Sequence, residues 1–253
     1  MHLEMAGKTD VGRQRARNED HFLVLQNVSM TAVADGMGGH VDGNIASQIA
    51  VDTLMEEYQN EYEASLEEDR STEDLLKWQE DFLAKSIQKA NKNIFAKNQG
   101  NFALEGMGTT IVALQISSGY AITACVGDSR IYLFRENKLV QLTQDHSLVG
   151  ELLRYKIIAE KDLLFLQNKN IITRALGMAE QVIVDTSRHK ILPGDLLLLC
   201  SDGLSDFVEH ESILQILQQD FQHIEEPLKA LIDKANEAGG QDNITVSIVK
   251  MID

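Results

Sequence analysis

Long hydrophobic runs are missing from this chain. Its longest strongly apolar stretch, residues 196–200, is strand-sized, far below the roughly 20 residues that a membrane helix needs, which argues against direct membrane insertion. The opening residues, MHLEMAGKTD, lack the basic-then-apolar order of a secretory leader, so a cytoplasmic location is expected. Proline is scarce, with two in 253 residues, and no Pro- or Ser-rich linker divides the chain. One domain covering 1–253 is therefore expected. The two cysteines, Cys125 and Cys200, lie inside apolar strand-like runs. Two cannot build a disulfide framework, and their spacing is not that of a metal-binding pair, so they read as reduced core thiols. Positive charge is the last shortage: 23 Lys and Arg face 39 Asp and Glu, a formal net charge of −16. A phosphate backbone requires a basic face, which argues against nucleic acid as a partner.

What is present is patterned. Residues 22–25 and 30–34 are short apolar runs split by a polar turn, and Ile45, Ile49, Leu54 and Met55 share one helical face. The acidic stretch 56–74 reads as a solvated connector. A long amphipathic helix follows, carried by Leu75, Leu76, Phe82, Leu83, Ile87, Ala90, Ile94 and Phe95, with Ser71 and Asp74 as an acidic variant of the capping box. Runs at 109–116, 120–126, 130–134 and 139–142 predict an antiparallel meander. Residues 147–166 suggest irregular helix, and 182–186, 196–200 and 244–251 suggest further strands. Helices are expected at 212–217 and 227–238, with Pro227 in the first turn of the second and Gly239 past its end. Strand blocks and helix blocks segregated in sequence indicate an α+β fold, with sheets sandwiched between outer helices.

The acids fall at strand ends. Asp35 follows TAVA, Asp128 follows ITACVG and Asp202 follows LLLLCS, while Glu19 and Asp20 precede HFLVL and Asp242 precedes NITVSIV. In antiparallel sheets such ends share an edge, so acids distant in sequence can meet on one rim. Two carboxylates about 4 Å apart repel by roughly 4 kcal/mol at an effective dielectric near 20. A gathered set needs protons or hard divalent cations such as magnesium or manganese. Asp-Gly after a strand is also an ordinary turn signal, and position alone leaves both readings open.

The order of the motifs adds a resemblance. The segment Gly12-Arg13-Gln14-Arg15-Ala16-Arg17-Asn18-Glu19-Asp20 resembles the GxxRxxNED opening of bacterial PPM metallophosphatases, the protein phosphatase 2C family. Asp35-Gly36-Met37-Gly38-Gly39-His40 is similar to that family's DGMGGH block, Gly106-Met107-Gly108-Thr109-Thr110 to its MGTT, and Val126-Gly127-Asp128-Ser129-Arg130 to its VGDSR. Ser201-Asp202-Gly203-Leu204-Ser205-Asp206 and Asp242-Asn243-Ile244-Thr245 complete the series, in family order along nearly the whole chain.

The resemblance implies a four-layer αββα sandwich, with two central antiparallel β-sheets flanked by helices, and a metal-dependent hydrolysis of phosphoserine and phosphothreonine in proteins. It implies two manganese or magnesium ions and a third, weaker one. Asp35 resembles the carboxylate bridging the core pair, with the Gly36 carbonyl and Glu19 (through water) serving one ion and Asp202 and Asp242 the other. Asp128, Asp202 and Asp206 resemble the third site, Arg15 the arginine that grips phosphate, and Asp20 and Asn243 supports that orient ligands or bound waters. Two such ions activate a shared water and neutralise the phosphate oxygens, and a guanidinium adds a planar fork. No protein nucleophile is then required.

Eukaryotic relatives carry a histidine where Met37 stands; the general acid is left between nearby His40 and a metal-bound water. Residues 148–170 correspond to the flap of bacterial relatives, a segment suited to recognising peptide. Phosphorylated proteins, and a bacterial Ser/Thr kinase whose action is reversed, are the partners implied. Two alternatives remain beside this reading: a catalytically inactive PPM-like phosphoprotein-binding module, and a phosphatase of a small phosphorylated metabolite.

Overall fold

The computed structural model describes residues 2–38, 42–62, 70–99, 106–157 and 171–252. Its strands in chain order are β1 (Leu3–Asp10), β2 (Asp20–Leu25), β3 (Met30–Met37), β4 (Gly108–Thr109), β5 (Ile111–Ser117), β6 (Tyr120–Val126), β7 (Arg130–Arg135), β8 (Lys138–Gln141), β9 (Asp185–Lys190), β10 (Leu196–Cys200) and β11 (Ile244–Met251). The helices are α1 (Asp42–Glu57), α2 (Thr72–Gln99), α3 (Leu148–Arg154), α4 (Asp202–Ser205), α5 (His210–Leu217) and α6 (Glu225–Glu237).

The strands form two antiparallel sheets. One has the order β1-β11-β10-β7-β8; the other runs β2-β3-β5-β6-β9, with β4 paired to β3. Alternation along the central strands explains their continuous apolar sequences, because both faces are covered. Leu197 and Leu199 of β10 meet Val33, Val112, Leu114 and Val249 between the sheets. Leu198 and Cys200 face outward, under α5 and α6, with Ile213, Leu231 and Ile232. Ala32, Ala113 and Ala124 face the other way, under α1 and α2, with Leu54, Leu83 and Ile87. The layers are thus helix, sheet, sheet, helix, as the resemblance implies.

Hydroxyls interrupt the inner apolar layer. The Thr31 and Ser247 hydroxyls lie 2.7 Å apart, joining β3 of one sheet to β11 of the other. Thr9 and Thr245 make a 2.6 Å contact, and Ser201 donates across the sheets to Asp20 Oδ2 at 2.8 Å. Each of these hydroxyls is matched, so burial leaves it no penalty of the unpaired kind.

Three sequence expectations need correction. β1 was not anticipated, because LEMAGKTD carries too little apolar alternation; its full ladder with β11 supplies the order instead. The strand expected at 182–186 begins at Asp185, while Val182 and Val184 pack sideways on the core. Within the acidic connector, Tyr58 and Tyr62 are buried on a π-helical turn; they stack at 4.8 Å, and Phe82 packs against both. The Ser71 cap forms, with Asp74 N–H donating to Ser71 Oγ at 3.2 Å. Both cysteines are buried and unpaired in disulfides.

Candidate active site

Five chain passages converge at one edge of the sandwich. β3 ends in Asp35 and Gly36, β10 runs into Ser201 and Asp202, and the β6–β7 turn carries Asp128. β2 begins at Asp20, and β11 begins just after Asp242 and Asn243. The β2–β3 register sets Asp20 directly opposite Asp35, so the two carboxyl groups share one face of the sheet.

Two glycines make this closeness possible. A Cβ on Gly36 would lie 2.2 Å from the Gly43 carbonyl oxygen at the start of α1. One on Gly203 would lie 1.9 Å from the Asn243 carbonyl oxygen. The Gly-Thr-Thr segment braces Asp35 from the other side. Asp35 N–H donates to Thr110 Oγ1 at 3.1 Å, Thr110 N–H donates to the Asp35 carbonyl at 2.8 Å, and Thr109 Oγ1 donates to that carbonyl at 2.8 Å.

Asn243 fixes the loop that bears Arg15 and Glu19. Its Nδ2 donates to the carbonyls of Val11 and Arg17, both at 2.9 Å, and its Oδ1 accepts from Glu19 N–H at 2.8 Å. Its own N–H donates to Asp242 Oδ1 at 2.8 Å. The loop is held again where Arg13 N–H and Gln14 N–H donate to the Gly240 carbonyl. Arg15 emerges from it at 56% side-chain exposure, with Nη2 donating to Asp242 Oδ2 at 2.7 Å. Asp242 first, and Asp202 and Asp35 more weakly, raise the pKa of this guanidinium against the cost of its burial.

The carboxyl groups are strained electrostatically. Burial pushes Asp35 well above the usual carboxylate range, and Asp20, Asp202 and Asp128 add to it. Asp202 rises to about 8 through burial, then Asp128, Asp206 and Asp242. Asp20 rises to about 6, chiefly through burial, and Asp128 to about 6 through burial with Asp145 and Asp206 nearby. Asp35 and Asp202 each shift the other's proton affinity, so without a cation the pair retains a proton at neutral pH.

Cations are the alternative to protons, and the donor set fits hard divalent ions. Asp20 Oδ1 and Asp128 Oδ1 are buried without a hydrogen-bond partner, an expensive arrangement unless something else occupies those lone pairs. Among the described residues no three His, Cys, Asp or Glu side chains close on one point as a complete cage. Magnesium-like ions do not need one, since they keep several waters and take few carboxylates.

Of the residues expected from sequence, Asp20, Asp35, Asp128, Asp202 and Asp242 meet at this edge, with Arg15 at its mouth. Gly36 and Asn243 form its backbone frame, and Glu19 packs beside α1, where a Cβ on Gly43 would lie 2.3 Å from its Oε2. Asp206 is exposed next to Asp202, its N–H donating to the Asp202 carbonyl at 2.8 Å. His40 lies outside the described residues, as does 158–170 of the expected flap. Sequence reasoning assigned nothing to Ser201 or Thr110, although both stand inside the quoted motifs.

A two-sheet sandwich with acids from both sheets gathered at one edge, and an arginine over them, defines a class of phosphate-handling metalloproteins. The chain belongs to the protein phosphatase 2C family, whose profile matches residues 10–235. It is 42% identical over 253 residues to the serine/threonine phosphatase stp of Listeria monocytogenes serotype 4b, covering 99% of this chain and 96% of that protein. The fold superimposes on the serine/threonine phosphatase of S. agalactiae with a TM-score of 0.87 and 36% identity, covering 100% of both chains. A third likeness is the catalytic domain of the serine/threonine protein phosphatase PstP in complex with two manganese ions, with TM-score 0.80, 34% identity and 99% of both chains covered.

Proposed function

We propose that this chain is a metal-dependent protein phosphatase that hydrolyses phosphoserine and phosphothreonine esters. The observation that carries the reading is the cluster of mutually repelling carboxyl groups with one guanidinium at its mouth. Its sequence and fold relatives, serine/threonine phosphatases by name, support the same assignment.

Asp35, Asp202 and Asp242, with the Gly36 carbonyl and Glu19, would hold two manganese or magnesium ions, and Asp128 with Asp202 and Asp206 a third. Such ions activate water and neutralise charge on the phosphate oxygens. The chain's own work is to place the other groups. Arg15 offers two N–H donors in one plane to two phosphate oxygens, and its exposure leaves it free to leave Asp242 for substrate. Asn243 keeps Arg15 and Glu19 on a fixed loop. Asp20, held by Ser201 through Oδ2, keeps Oδ1 as an acceptor for an ordered water. The general acid lies between His40 and a bound water.

Beside the rim is a cavity of about 590 Å³ lined by Asp128, Arg130, Ser147, Arg154, Asp206 and Phe207. One wall is Val149, Gly150, Leu153 and Arg154, the start of the flap expected at 148–170, which suits a peptide segment flanking the phosphoresidue. One domain, 1–253, carries all of this. The full set of Asp35, Asp202 and Asp242 tells against an inactive binding module. Among the described residues no helix is long and apolar enough to cross a membrane. We infer a signalling role in the cytoplasm, reversing a bacterial Ser/Thr kinase.

The test is phosphate release from phosphoserine, phosphothreonine and phosphotyrosine peptides and from nucleotides, with manganese, magnesium or chelator. Manganese-dependent turnover of the first two peptides is expected. Turnover that survives complete metal removal, or a preference for nucleotides, would sink the proposal.

A further inference from the structure

His146 is a buried titratable side chain to which the chemistry above gives no task; its ring is 1% exposed. Its Nδ1 accepts the Gly127 N–H at 3.0 Å, inside the β6–β7 turn. Its own N–H donates to the Gly127 carbonyl at 2.8 Å, so ring and backbone grip the same residue. Gly127 has φ +110 and immediately precedes Asp128; a Cβ there would lie 2.5 Å from Thr110 Cβ. The turn is therefore squeezed between Thr110, which braces Asp35, and His146.

The same histidine gathers two further passages. Its carbonyl accepts from Thr173 N–H at 2.8 Å, and the following residues pair with Ile171 and Ile172. Since Nδ1 accepts, the ring proton sits on Nε2; of the two groups there, Asp185 Oδ2 at 3.3 Å can accept it, while Arg174 Nη1 at 3.1 Å is itself a donor and cannot. Asp185 Oδ1 takes Arg174 Nη1 at 2.6 Å, so one carboxylate anchors both the ring and the arginine beside it.

We propose that His146 is a positioning residue: it holds the Gly127–Asp128 turn in place and ties it to the entry of α3 and to the 171–174 passage through Asp185 and Arg174. Its consequence for cations rests on the reading that Asp128 is a ligand of the weakest ion. Groups that orient ligands from behind typically change metal affinity about 10- to 100-fold when removed.

The two ring nitrogens can be tested separately. In His146→Asn, the amide oxygen stands where Nδ1 stood and can keep the Gly127 bond, losing Asp185. In His146→Gln, the amide reaches the Nε2 position and keeps Asp185, losing Gly127. Amide exchange at Gly127 in the metal-free protein, and calorimetric titration with manganese alone, are the readouts, with Asp128→Asn as the control. The Gln variant is expected to speed Gly127 exchange about tenfold and to weaken only the lowest-affinity manganese event by about tenfold, while the Asn variant stays within about threefold of wild type in both. Equal behaviour of the two variants, or unchanged Gly127 exchange in the Gln variant, overturns the proposal. If Asp128→Asn alters no manganese event while Gly127 exchange still rises in the Gln variant, the cation reading of Asp128 fails and the positioning role stands. Should the Gln variant not fold, an Asn variant with altered Gly127 exchange overturns the proposal and one with wild-type exchange supports it.

Discussion

Asp35 sits where three other acids raise its proton affinity, and that sets opposite consequences for stability and activity. Replacing it by Asn removes charge from a crowded rim. The metal-free variant should melt at or above the wild-type temperature in a calorimetric scan, while manganese-dependent phosphopeptide hydrolysis falls by about 10³-fold, since cation stabilisation of the reacting phosphate is worth several kcal/mol. A stabilising loss of function is the signature of a site residue; a destabilised variant would mark Asp35 as structural. Arg15 differs because its value lies in shape. Arg15→Lys keeps the charge but not the fork, so kcat/KM should drop about 10-fold or more and inhibition by inorganic phosphate should weaken in parallel. A Lys variant with wild-type constants would remove Arg15 from substrate binding.

At the scale of elements, the turns that join strands to the rim carry the design. Gly203→Ala forces a Cβ to within 1.9 Å of the Asn243 carbonyl, prising α4 from the start of β11. Overpacking of this kind costs about 1–3 kcal/mol; the denaturant midpoint should fall accordingly, and manganese affinity with it, because Asp202 and Asp242 flank the clash. This level is also where sequence and structure part. Asp35, Asp202 and Asp242 were legible because each follows or precedes an apolar strand and is joined to Gly or Asn. The α2 helix was legible because Leu76, Leu83, Ile87, Ala90 and Ile94 keep one face. β1 was not, because its order comes from partners across the β11 ladder rather than from its own pattern. The tyrosines of the connector were hidden by the acids around them, and their burial depends on Phe82 and Gln115 far along the chain. His146 was silent for the same reason: its partners Gly127 and Asp185 are fixed by tertiary contact alone.

The whole molecule should respond to pH in a way set by opposing groups. Asp202 at about 8, Asp20 and Asp128 at about 6, and Asp35 well above the usual range all bind protons more tightly folded than unfolded. Their stabilisation is complete below the ordinary carboxylate range near 4 and is lost as pH rises through the raised values. His21, His146 and His189 are lowered, each chiefly by burial, and stabilise in the opposite sense, gaining as pH rises toward about 6.5. Above that value the raised acids dominate the balance. The melting temperature of the metal-free protein should therefore fall between about pH 6.5 and 8, and saturating manganese should flatten the fall. A flat metal-free profile in that window would contradict the crowded rim.

The hydroxyl contacts between the sheets carry a consequence in time. Ser201 on one sheet holds Asp20 on the other, and Thr31 meets Ser247, so the rim exists only once the two sheets have docked. A cation has nothing to grip on a half-assembled chain. Ligation formed after the folding barrier lowers the native state without lowering the transition state. Manganese should accordingly slow unfolding in stopped-flow denaturant jumps, in proportion to the stability it adds, and leave the refolding rate within about twofold of its metal-free value. An equal acceleration of refolding would mean that the two sheets meet before the barrier rather than after it.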